Sequence, residues 1–292
     1  MDNTAWIVCN AFLAKAGASK KNALVSYLPS RSQELLKALG SPEKDPMQVI
    51  FKPAEVLKLI HYSWFTPFLR SLGEAEISLF LGIFPETEYK KLKKALLFSK
   101  PIQPISSFAK KYLESVLIDH LMEGTTDILP LELLPHSPLN TLVDISHESL
   151  QSLIEYLGLH DLAVEIKQII DTMKLKKIHS VLSPEKEAYL KILSQKKEAV
   201  LFKRMELSKW DGKAETLEKV LYHRGLNRLA KALYPENPSL LWYVSHKLPW
   251  EQASSLQSLV KPLEHPKAAS MLSHQLLEVL PLVHKKSAKE PS

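Results

Sequence analysis

A single cysteine, Cys9, leaves no internal disulfide to form, and such sparse thiol usage fits a reducing compartment. Cys9 lies in an apolar N-terminal stretch with no histidine nearby, so it reads as a small buried hydrophobe rather than a nucleophile. Glycine is also scarce, with 8 in 292 residues, which leaves little from which to build a tight anion-binding loop. The patterns G-x-x-x-x-G-K-S/T, G-x-G-x-x-G and H-E-x-x-H are all missing, so phosphate cradling and zinc-protease chemistry lack their usual carriers. No apolar run approaches the roughly 20 residues that span a bilayer. The opening MDNTAWIVCNAFLAK has no basic segment ahead of its short apolar stretch, so neither a signal peptide nor a helical anchor is expected.

What the sequence has instead is leucine at helical spacing. Apolar residues recur at i, i+3, i+4 and i+7 while strand-like alternation is almost absent, which predicts an all-α protein. The length suggests two or three units. With 38 basic and 32 acidic residues the net charge is +6 and the pI is about 9.1, a balance that suits nucleic acid or an anionic surface. The lysines fall in short runs, such as Lys90, Lys91, Lys93 and Lys94, then Lys174, Lys176 and Lys177. They read as solvated helix faces, because no recognised nucleic-acid motif accompanies them. The 11 histidines are scattered. The pairs His147-Glu148 and His160-Asp161 point different ways on a helix instead of sharing a ligand face. No catalytic residue, metal ligand or cofactor is expected. A helical scaffold that binds other proteins is the leading class, and a helical-repeat nucleic-acid binder is the alternative.

The chain repeats itself. Moving Glu215–Leu256 back by 67 positions lays Glu215, Leu221, Gly225, Leu229 and Leu233 on Glu148, Ile154, Gly158, Leu162 and Ile166. After one deleted residue, Leu248 and Glu251 fall on Leu182 and Glu185. Self-similarity at a fixed period signals stacked helical units. Leu162 and Leu229 should be equivalent and buried. The second half of the module has a simpler signature, an apolar residue before a proline-marked helix start and a leucine eight positions on. It recurs as Leu28-Pro29 to Leu36, Phe84-Pro85 to Leu92, Leu182-Ser183-Pro184 to Leu190 and Leu248-Pro249 to Leu256. Proline suits the first helical position, and Glu86, Glu185 and Glu251 complement the helix dipole.

In order, the chain divides into an N-terminal helical unit (1–40), a middle helical domain (41–124), a first repeat unit (141–195) and a C-terminal helical domain (196–283). Two linkers are expected, Gly40–Pro46 and the proline-rich stretch 125–140. The middle domain should take its core from Trp64, Phe65, Phe68, Ile77, Leu79 and Phe80. A final helix over about 268–283 precedes a polar tail, HKKSAKEPS, expected to be disordered.

The C-terminal copy resembles the flagellar motor switch protein family FliG. Val220-Leu221 is followed, after seven intervening residues, by Leu229-Ala230-Lys231-Ala232-Leu233, and Lys247-Leu248-Pro249 sits where that family has its turn into the next helix. The stretch Ile77–Glu86 is similar to the family's middle helix and turn. The resemblance covers most of the chain in family order and implies a multi-domain array of small, armadillo-like helical units. The family's ring-partner segment, E-H-P-Q, falls on Leu72, Gly73, Glu74 and Ala75, where it is not kept. Its stator-facing charges fall on Tyr234, Glu251, Ser258, Leu259 and Lys267. Only Lys267 keeps the charge type, and Glu251 has the opposite sign.

These departures shift the expectation from a torque-generating rotor to a structural relative, such as a component of a non-flagellar type III secretion apparatus. A diverged flagellar protein is the other reading. Either implies a scaffold in the cytoplasm, held peripherally at the inner membrane through its partners. Those partners would be an inner-membrane ring protein and a cytoplasmic ring or sorting-platform protein, with self-association as a further option and no small-molecule substrate.

Overall fold

A computed structural model describes residues 6, 9–10, 12–13, 18–38, 52–125, 128–196, 202–205, 207, 210–263 and 266–287. Among these residues the fold is all-α, without a strand. Two short N-terminal helices, α1 (Ala18–Ser26) and α2 (Ser30–Ala38), come first. The middle region contains α3 (Pro53–Leu59), α4 (Thr66–Arg70), α5 (Glu74–Leu81), α6 (Glu86–Ala95) and α7 (Ser107–Leu121). Then follow α8 (His147–Ile166), α9 (Thr172–Val181), α10 (Pro184–Gln195), α11 (Ala214–Leu233), α12 (Pro238–His246), α13 (Trp250–Leu259) and α14 (Pro266–Ser287).

Local chemistry sets the helix ends. Ser106, Ser146 and Ser183 cap α7, α8 and α10, each accepting the backbone N–H three residues on, which satisfies a donor that the helix itself leaves unpaired. The four proline-marked starts all open helices, and Leu36, Leu92, Leu190 and Leu256 are all buried. Pro184 occupies the first helical position as expected, whereas Pro85 and Pro249 stand one place earlier, at the cap.

The repeat is visible in the helices themselves. α8 and α11 are each 20 residues long and begin 67 positions apart, and each is followed by two shorter helices. Leu162 and Leu229 are both fully buried. The two long helices pack directly on one another, and the contacts are reciprocal. A Cβ on Gly158 would stand 2.9 Å from the Leu221 carbonyl carbon, and one on Gly225 would stand 2.7 Å from that of Ile154. Gly225 and Leu221 are the repeat counterparts of Gly158 and Ile154, so the two copies meet through one patch used twice, the relation seen across a two-fold axis. Arg228, counterpart of Asp161, pairs with Asp161 at 2.6 Å, and its other nitrogen donates to Gln275 of α14 at 2.6 Å. The last helix, α14, lies against both long helices and buries Leu272, Leu276 and Val279.

One apolar cluster runs from Val56 to Val283. The stretch expected as a free linker at 125–140 takes part in it. Ile128 and Leu139 are buried, the Leu129 N–H donates to Ser239 Oγ at 3.0 Å, and Tyr243 Oη donates to the Leu129 carbonyl at 2.9 Å. Proline there ends helices without freeing the chain, since short 3-10 turns at Leu131–Leu133 and Pro138–Val143 keep it against the repeat.

Other expectations also shift. Leu79 points outward at 40 % exposure, because α5 buries only the face carrying Phe80 and Leu81. Cys9 is half-buried rather than enclosed. The last helix continues to Ser287, into the tail expected to be disordered. The Gly40–Pro46 linker, most of the connector after Gln195 and residues 288–292 lie outside the described residues.

Candidate functional site

The positions carried over from the family resemblance occupy two surface regions. Leu72–Ala75 form the turn into α5. Leu72 packs on the core while Gly73, Glu74 and Ala75 are exposed. Gly73 N–H donates to Glu76 Oε2 at 2.8 Å, and Glu74 pairs with Lys100. In the C-terminal region Tyr234 follows the end of α11, Glu251 opens α13, and Ser258 and Leu259 close it. Tyr234, Glu251 and Ser258 are exposed, whereas Leu259 packs against the core. The side chain of Lys267 lies outside the described residues.

Glu251 lines an open cleft of about 440 Å³ together with Glu155 of α8, Glu218 and Tyr222 of α11, and Gln252. Tyr222 Oη donates to Gln252 Oε1 at 2.6 Å, and Glu155 pairs with Lys186 at 2.8 Å. Three carboxylates, Glu155, Glu218 and Glu251, share this cleft with Lys219, which gives it an acidic side. Burial raises the Tyr222 phenol well above its ordinary value, with Glu155 adding to the shift, so the hydroxyl stays a donor.

A second region, not singled out by sequence, joins the middle helices to the turn between α12 and α13. Trp64 Nε1 donates to the Leu248 carbonyl at 2.9 Å, His61 N–H to the His246 carbonyl at 2.8 Å, and Trp250 N–H to Ser63 Oγ at 3.0 Å. His246 is stacked between Trp64 and Trp242, with ring centres 3.8 and 4.0 Å away. Burial lowers its pKa to about 4, although a hydrogen bond with the Trp242 carbonyl opposes the shift. The neighbouring Lys247 is buried, donates to the Val143 carbonyl at 2.6 Å, and has its pKa lowered to about 8 by burial against the pull of Asp144.

Beside this joint a cleft of about 640 Å³ is lined by His61, His147, Lys91, Lys94, Glu88 and Glu148. His61 is lowered to about 4, first by burial and then by the neighbouring His147 and Lys91. The Glu148 carboxyl is held below the usual range chiefly by a backbone hydrogen bond at the start of α8. An apolar pocket of about 550 Å³ adjoins it under α7 and shares Tyr62, Glu88 and His147 with it.

His160 is buried and lies 3.0 Å from Tyr189 Oη, while the adjacent Asp161 serves Arg228. No cluster of three potential metal ligands occurs among the described residues. Within the lysine run of α6, Lys90 and Lys91 pair with Glu86 and Glu88 on the same helix, which fits a solvated face. No described helix is long and apolar enough to cross a membrane. Sequence reasoning missed the histidine–tryptophan joint because its partners are more than a hundred residues apart and share no local pattern. Comparison with protein-family models, with curated proteins and with solved structures gave no match for this chain.

Proposed function

We propose that the protein is a non-enzymatic scaffold at the cytoplasmic face of a type III secretion or flagellar basal body, an armadillo-like, FliG-like array without most stator-facing charges. The observation that carries this reading is the tandem of two three-helix units locked through reciprocal glycines, with the middle helices fastened to the second unit at Trp64 and His246. Such a body holds its exposed turns at fixed separations, which a platform component requires. The acidic cleft around Glu251 supports a static role, because a torque-transmitting surface would need the family's charge pattern. An inner-membrane ring protein and a cytoplasmic ring or sorting-platform protein are the proposed partners, with self-association as a further contact. They would hold the protein peripherally at the inner membrane.

The test is co-purification of the tagged full chain with ring components after mild lysis. Glu251→Lys should leave capture unchanged, since one exposed charge contributes on the order of 0–1 kcal/mol. Ala75→Lys on the middle-region turn should reduce it. Absence of both ring proteins from the wild-type eluate, or loss of capture in a folded Glu251→Lys variant, would overturn the proposal.

A further inference from the structure

The inner face of α7 carries one residue that does not belong in a core. Glu114 precedes the buried Leu117 and Ile118, is itself only 8 % exposed, and lines the apolar pocket beside Leu57, Phe65 and Phe84. Its side chain makes no hydrogen bond or ion pair with any described residue. Lys110 and Lys111, one turn earlier, line the same pocket and are exposed, yet neither is paired with it. The Glu114 oxygens are not among the described side-chain atoms shut off from water without a partner, so the carboxylate opens into the pocket, where low polarity strengthens its attraction for an entering cation. A pocket of about 550 Å³ is large enough to admit side chains from outside.

We propose that this pocket docks a segment of a partner protein that inserts an arginine or lysine against Glu114. Apolar neighbours of that residue fill the space along Leu57, Phe65 and Phe84. Acidic residues on either side of it lie over the rim formed by Lys58, Lys110 and Lys111, all exposed. The outer side of α7 extends the surface, since Phe108 and Tyr112 stand 82 % and 65 % exposed there, and aromatic side chains of this kind anchor interfaces. Charge complementarity selects the occupant: a basic anchor for the single buried carboxylate and acidic flanks for the lysine rim. This assignment is independent of the assembly to which the partner belongs.

The test uses the purified full chain and a panel of fluorescein-labelled peptides with one arginine among leucine, isoleucine and phenylalanine, flanked by glutamates. A matched panel carries norleucine in place of arginine. Fluorescence anisotropy should show arginine peptides binding, and Glu114→Gln should weaken them about tenfold or more while leaving norleucine peptides unchanged. Free of ligand, Glu114→Gln should melt within about 1 °C of wild type, because the carboxylate opens into the solvent of the pocket. A lower melting temperature would mean that Glu114 is already satisfied within the fold. That result, equal binding of both panels, or arginine binding insensitive to Glu114→Gln would overturn the proposal. So would a dimer lost in Glu114→Gln, which would make a second copy of this chain the occupant, or full reproduction of the effect by butylamine, which would make it a small cation.

Discussion

Replacing Gly225 with alanine tests the reciprocal interface at its tightest point. In an ordinary helix interior the change stabilises by about 1 kcal/mol, since glycine leaves more backbone freedom to be lost on folding. Here the added Cβ would sit 2.7 Å from the Ile154 carbonyl carbon and 3.0 Å from the Gly158 nitrogen, whereas unstrained carbon contacts lie at about 3.5–4.0 Å. Both obstacles are backbone, so no rotamer change relieves the clash and the helices must separate by roughly 1 Å. A gap of that size forfeits about a quarter to a half of each dispersion contact it opens, and the side chains affected, including Leu153, Leu157 and Leu229, are fully or almost fully buried. Overpacking typically costs about 1–3 kcal/mol, and a backbone-against-backbone clash belongs at or above the top of that range. A net loss of about 2 kcal/mol or more is therefore expected, read as a lower urea midpoint by circular dichroism at unchanged m-value. Gly158→Ala should behave alike. The double variant should fall well short of the sum, because one displacement relieves both clashes. Lys219→Ala, on the exposed side of the same helix, is the control. Stability equal to or above wild type in either glycine variant would refute the reasoning.

Two further outcomes follow from buried charge. Asp161→Ala strands the Arg228 guanidinium, which is 1 % exposed, and should cost about 3–5 kcal/mol, whereas Asp161→Leu combined with Arg228→Met should recover most of that loss in a double-mutant cycle. Acid should also unfold the protein early. His246 stays neutral in the fold down to about pH 4, while in the unfolded chain it takes up a proton near 6.5, so the unfolded state binds more protons between these values and stability falls as pH drops through that window. The contribution is about 3 kcal/mol. Chemical denaturation between pH 7 and 4 should show a shallower decline in His246→Gln, with His61, lowered for the same principal reason, supplying the slope that remains.

The all-α class, the repeat with its 67-residue offset, the four proline-marked helix starts and the burial of Leu162 and Leu229 follow from the sequence alone, because they depend on local periodicity and capping. Gly158 and Gly225 are also conspicuous in a glycine-poor chain, but their purpose is tertiary: each makes room for the backbone of the other copy. The same division explains the misreadings. Proline at 125–140 marks the end of helices, and whether the segment then runs free or packs depends on Ser239 and Tyr243, more than a hundred residues away. Leu79 matches the apolar pattern of α5, yet which face of a short helix is covered is decided by its neighbours. Glu114 resembles any surface glutamate in the sequence, and only the packing of α7 over Leu57, Phe65 and Phe84 sets it in an apolar pocket without a partner. Sequence fixes what is local and periodic, whereas burial of an individual charge depends on which distant surfaces meet, and that is settled only when the chain has folded.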